Sequence, residues 1–230
     1  DGLFLTRHFE DGVLLPSTQL CIDMGYVNEA IHWANEAISQ NETSPLIIEQ
    51  LIITNIIANH YSSAQLYINT LKKFPFFHLK ALEYEQMVEN NSPTADMLKK
   101  RSLQPTNNFM VRRMNPASDL KYIVLDVPKN KMAFEYLMSY YLMDNNLAAF
   151  YQNFPLGKAF YGNKIPRVYE EALVSYLYEL NKRGMEVPPI KLSDAVLGDF
   201  SDYITILKEF KGNYVAAKPF LQEKFKNTYW

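Results

Sequence analysis

The sequence predicts an all-α protein: a right-handed α-solenoid of antiparallel helix pairs, about ten helices in all, interrupted by an irregular insertion. Three observations predict it. A pattern of small and apolar residues occurs twice, 34 residues apart: Gly25-Tyr26 with Ala30, Ala34 and Ala37, then Asn59-His60 with Ala64, Ile68 and Leu71. That interval is the length of one helix–turn–helix unit. Apolar residues recur at helical spacing through most of the chain, and short breaks of Asn, Gly or Pro separate the stripes. With 48% apolar residues, 12 Pro and 8 Gly in 230 residues, there is material for a core and no low-complexity character.

The first pair occupies residues 11–41. Its first helix carries Leu14, Leu15, Leu20 and Ile22, and Gly25 makes the turn, where positive φ costs glycine nothing. The second helix, from Val27, aligns Ala30, Ala34 and Ala37 on one face beside Ile31 and Ile38. Residues 41–45 form a loop that ends in an N-cap serine, Ser44, and an N1 proline, Pro45. The helix after Pro45 is apolar around most of its circumference (Leu46, Ile47, Ile48, Leu51, Ile52, Ile53, Ile56, Ile57), which predicts burial between neighbours. Residues 63–73 give its partner, stopped by Pro75. A third pair covers residues 76–89 and 94–101.

Residues 102–130 contain Pro105, Pro116 and Pro128 and are read as the irregular insertion. Within it, residues 122–127 fit either a short strand or one helix trapped between prolines. Helices resume at Lys131, with Phe134, Leu137, Met138, Tyr141 and Leu142 in register. Asp144-Asn145-Asn146 turns the chain, and residues 147–153 begin a partner interrupted by Pro155 and Gly157. Pro166 opens a helix that Gly184 closes. Ser193 caps a helix-like stretch, residues 200–210 give a further helix, Gly212-Asn213 turns, and residues 215–225 form the last. The whole is read as a single helical-repeat domain over 1–230, with halves at 1–101 and 131–230 flanking the insertion.

The spacing Gly25-Tyr26-x-x-x-Ala30-x-x-x-Ala34-x-x-Ala37, with its equivalent through Ala64, Ile68 and Leu71, resembles the tetratricopeptide repeat superfamily. The Trp position usual in the first helix of that family is taken here by Leu14 and Ile48, and the later pairs lack the small-residue signature. The resemblance implies a binding scaffold. The stretches Asn130-Lys131-Met132-Ala133-Phe134-Glu135-Tyr136-Leu137-Met138 and Pro166-Arg167-Val168-Tyr169-Glu170-Glu171-Ala172, with Thr228-Tyr229-Trp230, are similar to an uncharacterised bacterial family. Its longer members carry transmembrane segments before a helical region. That resemblance implies the soluble C-terminal part of a membrane-associated protein, attached through a region before Asp1, with the side of the membrane undetermined.

Composition excludes several classes. A formal net charge of -2 is not that of a basic nucleic-acid binder, and no nucleic-acid partner is expected. The single cysteine, Cys21, cannot form an intrachain disulfide, and its apolar helical surroundings predict a buried core thiol. No stretch reaches the ~20 apolar residues of a membrane span. No phosphate-binding glycine loop, no His-Glu-x-x-His and no paired-cysteine motif is present, so no cofactor, metal or catalytic residue is assigned. His8, His32, His60 and His78 lack a second histidine at i+3 or i+4. Glu83, Glu85, Glu89, Glu170 and Glu171 leave one enzymatic alternative, a hydrolase with paired carboxylates; a solvated helix face is the simpler reading.

The predicted function is a non-enzymatic protein–protein interaction scaffold. The first helices of repeat pairs line the concave face, which places Gln19, Asp23, Glu49 and Ile53 there as candidate contacts. Arg112 and Arg113 lie in a basic stretch, residues 99–131, and are the second candidate contact. Expected partners are an unidentified protein or peptide, the upstream transmembrane segments, or the membrane surface. The alternative is a peptide- or glycan-binding module using a groove among Tyr136, Tyr140, Tyr141, Phe150, Tyr151, Phe154, Phe160 and Tyr161.

Overall fold

The computed structural model describes residues 14–39, 44–106, 115–162 and 164–230. Every regular element among them is helical, as the apolar spacing predicts. In order these are α1 (Leu14–Asp23), α2 (Val27–Ser39), α3 (Pro45–Ile57), α4 (Tyr61–Leu71), α5 (His78–Glu89), α6 (Ala95–Arg101), α7 (Pro116–Asp126), α8 (Lys131–Met143), α9 (Leu147–Asn153), α10 (Lys158–Tyr161), α11 (Arg167–Lys182), α12 (Asp194–Glu209) and α13 (Tyr214–Phe225). Short 3-10 turns, Pro75–Phe77 and Phe154–Gly157, precede α5 and α10. The chain divides into two compact units, one ending at Phe134 and the other starting at Glu135, so α8 contributes residues to both. No helix among the described residues is long and apolar enough to cross a membrane.

In the first unit α1 packs on α2, α2 on α3, α3 on α4, and α4 on α5, while α6 returns to α3. α3 is enclosed: Ile48, Leu51, Ile52, Ile56 and Ile57 are almost wholly buried, and Glu49, Gln50, Thr54 and Asn55 are buried with them. The polar members are accommodated locally, Thr54 donating to the Gln50 carbonyl and Asn55 to that of Leu51. Ala30 and Ala64 are fully buried, inside the helix packing. Ser44 accepts the Leu46 N–H at 3.3 Å and Pro45 opens α3, the start that the sequence marks.

The turns share one geometry. Gly25, Asn59, Asn91 and Asn145 have φ of 74°, 62°, 49° and 53°. At each, the following N–H reaches the carbonyl five residues back: Tyr26 to Cys21, His60 to Asn55, Ser92 to Met87, Asn146 to Tyr141. This is the Schellman closure, and it needs a left-handed residue at its centre, which glycine and asparagine tolerate. At Gly25 a side chain is excluded for a second reason: a Cβ would lie 2.6 Å from the Leu103 carbonyl oxygen.

Two expectations are corrected. The stretch 102–130 is not irregular throughout, because residues Pro116–Asp126 form α7. The ambiguity at 122–127 resolves as helix. Pro116 starts the helix at N1 and does not break it, Asn115 caps it by accepting the Ser118 N–H, and Ala117, Leu120, Ile123 and Val124 make the buried face. The second correction is at α12, one continuous helix from Asp194 to Glu209 where a break before Phe200 is expected. Gly198 costs such a helix about 1 kcal/mol, and burial of Val196 and Phe200 on either side offsets it.

In the second unit α11 packs on α9 and α12, and α12 on α13. Phe150, Phe154, Tyr161 and Tyr169 form an edge-to-face cluster, with ring centroids 5.3 Å apart for Phe150–Tyr169 and 5.8 Å for Tyr161–Tyr169. A smaller core of Ala217, Leu221 and Phe225 joins α13 to α12.

Candidate functional site

The first-helix residues serve the fold. Gln19 donates to Asp23 at 2.9 Å, and Asp23 and Asp96 share the Lys100 ammonium at 2.9 Å each. Burial opposes charging Lys100, and the two carboxylates outweigh it and raise its pKa. Glu49 is buried; it accepts the Tyr84 hydroxyl at 2.7 Å and pairs with Lys80. Burial first, and this hydrogen bond second, push the Tyr84 pKa far above that of free tyrosine. Ile53 is half-buried. The structure thus joins Gln19 to Asp23, and it sends Glu49 to α5. Arg112 and Arg113 lie outside the described residues. Their basic stretch begins with groups already engaged: Lys100, as above, and Arg101, which donates to the carbonyls of Ile57 and Ile56 at 2.9 and 2.7 Å.

Three of the carboxylates considered for catalysis are likewise engaged, whereas Glu83 and Glu89 are exposed. Glu85 is held by Lys72 and Gln65, and the Lys72 ammonium lowers its pKa. Glu170 accepts the backbone N–H and hydroxyl of Ser193 at 2.9 and 2.7 Å, fixing the start of α12. Glu171 is almost completely buried, and it takes Arg167 at 2.8 Å and the Tyr229 N–H at 2.9 Å. Cys21 is buried, which, with Glu29 nearby, pushes its thiol up to about 12. His32, His60 and His78 are exposed. Among the described residues no group of three His, Cys, Asp or Glu side chains could hold a metal.

The second unit also holds a cleft, about 460 Å³ in volume, between α11 and α12. Its walls are aromatic: Tyr178 from α11, Phe200 and Tyr203 from α12, and Trp230 from the segment after α13. Phe200 lies at the centre, with ring centroids 5.5 Å from Tyr178, 5.1 Å from Trp230 and 6.1 Å from Tyr203. The contacts with Tyr178 and Trp230 are edge-to-face and that with Tyr203 is stacked, and rings so packed hold one another in place. Leu147, Ile204 and Leu207 complete the apolar surface, and Glu179, Lys182 and Lys208 supply charge.

Trp230 reaches the cleft because the segment before it is tied down. Glu171 accepts the Tyr229 N–H, and the Tyr229 hydroxyl contacts the Leu142 carbonyl at 3.3 Å and Asn145 at 3.2 Å. Thr228 donates to the Phe225 carbonyl at 2.8 Å. The Trp230 indole N–H is buried without an acceptor. Neither Lys182 nor Lys208 forms an ion pair among the described residues. Glu179 faces Arg183 at 3.9 Å.

Of the aromatics expected to form a groove, two are buried, Tyr151, Phe154, Phe160 and Tyr161 are half-buried, and two are exposed. Phe150 and Tyr141 are buried, Tyr151 packs on Tyr176 at 5.0 Å, and Tyr136 and Tyr140 are exposed. The cleft uses the next helices along the chain. A sequence signal for it exists: Phe200, Tyr203, Ile204 and Leu207 follow the i, i+3, i+4, i+7 spacing of one helix face. Trp230 carries no such signal, since it is brought in by tertiary contacts.

The family model described as Family of unknown function (DUF6057) matches residues 1–230, and the chain belongs to that family. No curated protein and no solved structure matches it.

Proposed function

Within a family of unknown function, we propose that this chain is a non-enzymatic interaction scaffold that holds a partner in the cleft of its second unit. The observation that carries the reading is the cleft itself: four aromatic side chains with two lysines that form no ion pair among the described residues. Concave sites with mostly apolar walls and a few polar groups are the usual form of a ligand-binding site. Aromatic anchors with charged neighbours are also what binding energy in interfaces concentrates on. Glu85, Glu170 and Glu171 are spent on ion pairs, a helix start and a backbone contact, which favours binding over catalysis. The neighbour-on-neighbour order of α1 to α5, with the buried Ala30 and Ala64, supports a tetratricopeptide-like solenoid for the first unit.

Site-specific photocrosslinking in cells that make the protein tests this. A photoreactive residue in place of Lys208 should give a discrete protein adduct. The same residue in place of exposed Lys129 of the first unit should not. Equal patterns at both positions, or none at Lys208, would remove the reading. Membrane association, implied by the resemblance to proteins with transmembrane segments, is checked separately by whether the native protein sediments with membranes after carbonate washing.

A further inference from the structure

We propose that the α11–α12 cleft takes an acidic peptide segment bearing a bulky apolar side chain; this rests on the binding reading above and specifies its ligand. The apolar half of the argument is shape and chemistry. A volume of about 460 Å³ walled by Phe200, Tyr203 and Trp230 suits one large side chain with its flanking backbone. A whole folded domain does not fit such a space, whereas a short extended or helical segment does.

The acidic half is charge complementarity. Lys182 projects from α11 and Lys208 from α12, and both line the cleft without a carboxylate partner among the described residues. An incoming carboxylate therefore gains an ammonium without breaking an existing pair. The surrounding sequence has the same sign: Lys208, Lys211, Lys218, Lys224 and Lys226 stand against Glu209 and Glu223 between residues 208 and 226. Of these lysines, Lys224 is paired, with Asp202 at 2.6 Å. Ser175 donates its hydroxyl proton to the Glu171 carbonyl at 2.9 Å, and Glu179, the one acidic side chain in the lining, lies 3.9 Å from Arg183. A basic peptide would meet two ammonium groups with one carboxylate to offset them.

A neutral glycan fits less well. Sugar hydroxyls gain from carboxylate and amide acceptors beside an open aromatic face. Here the lining holds one acidic side chain and no Asn or Gln amide, and Phe200 is almost fully covered by its neighbours. Electrostatic pairing at the rim also sets the expected salt response, because exposed charges are screened beyond a Debye length of about 8 Å at physiological ionic strength.

The test uses the 230-residue chain and a random displayed heptapeptide library, followed by titration of the selected consensus peptide. Trp230 fluorescence in a Trp33→Phe background reports on the cleft, since Trp33 and Trp230 are the two tryptophans. The selected peptides should combine aspartate or glutamate with phenylalanine, leucine or similar residues, and should perturb Trp230. Lys182→Gln/Lys208→Gln should weaken binding roughly tenfold and flatten its salt dependence without moving the melting temperature. Neutral or basic consensus peptides, or undiminished affinity in the double variant, would overturn the acidic ligand and leave a binding cleft standing. An acidic peptide that binds without touching the Trp230 signal would overturn the cleft as its site. Recovery of no peptide would overturn the peptide proposal, and the Lys208 crosslinking result then decides separately whether the scaffold reading survives.

Discussion

Arg101 caps a helix from a distance of 44 residues along the chain. Its guanidinium meets the carbonyls of Ile56 and Ile57, where α3 ends and its dipole is negative, and also reaches the Tyr61 hydroxyl at 3.2 Å. Arg101→Ala removes this donor from the Ile57 carbonyl, while that of Ile56 keeps the Asn59 N–H, and should cost about 1–3 kcal/mol in urea unfolding. Arg101→Lys should recover little of it, because one ammonium cannot reproduce the planar fork. A second residue-scale prediction concerns pH. Lys72 holds the Glu85 carboxyl below its ordinary 4.5. A group with a depressed folded pKa stabilises above its unfolded value, and that stability is lost as pH falls through the folded value. Lys72→Met should therefore lower stability at neutral pH and lessen the further loss on acidification below about 4.5, measured as melting temperature against pH.

At the scale of elements, the helix pairs are set by turns and by small residues. Asn59 occupies the left-handed position that Gly25 fills in the preceding pair. Asn59→Val should cost about 1–2 kcal/mol, and Asn59→Gly should be neutral or slightly stabilising. Equal effects of the two would mean that the turn tolerates either backbone. Ala64 is fully buried where α4 begins its packing on α3. Ala64→Leu adds three carbons to a filled space and should destabilise by roughly 1–3 kcal/mol, read as a fall in the denaturant midpoint at constant slope. A melt unchanged by that substitution would contradict the close approach of the helices.

For the whole molecule, the two units differ in their cores. The largest fully buried side chains include Ile22, Met24, Ile48, Leu51, Ile52, Ile56, Ile57, Ile68 and Leu71 in the first unit, and Phe150 in the second. Burial of apolar area is the main favourable term in folding, so the first unit should be the more stable. Trp33 belongs to the first unit and Trp230 to the second. Single-tryptophan variants, Trp33→Phe and Trp230→Phe, should therefore unfold at different midpoints, with the Trp230 signal changing at lower denaturant. Coincident transitions would mean that the chain unfolds as one cooperative body.

The sequence by itself determined the helical class, most helix boundaries and the nature of the turns, because these depend on residues close together along the chain. Spacing of 3.6 shows an apolar face, and Gly25, Asn59, Asn91 and Asn145 show where a helix must close. Pro116 misleads because proline ends one helix and starts another with equal ease, and only the packing of Ala117, Leu120 and Ile123 distinguishes the two. Tertiary structure alone decided which polar groups are consumed by the fold. Glu49 and Arg101 look like surface charges in sequence, yet Tyr84 and Ile57, their partners, lie 35 and 44 residues away, and Glu171 adds to its neighbour Arg167 the Tyr229 N–H, 58 residues on. The cleft follows the same rule. One wall, on α12, is written in helical spacing, whereas Trp230 arrives through Glu171 and Tyr229, a contact between residues with no local relation that only the folded chain can bring about.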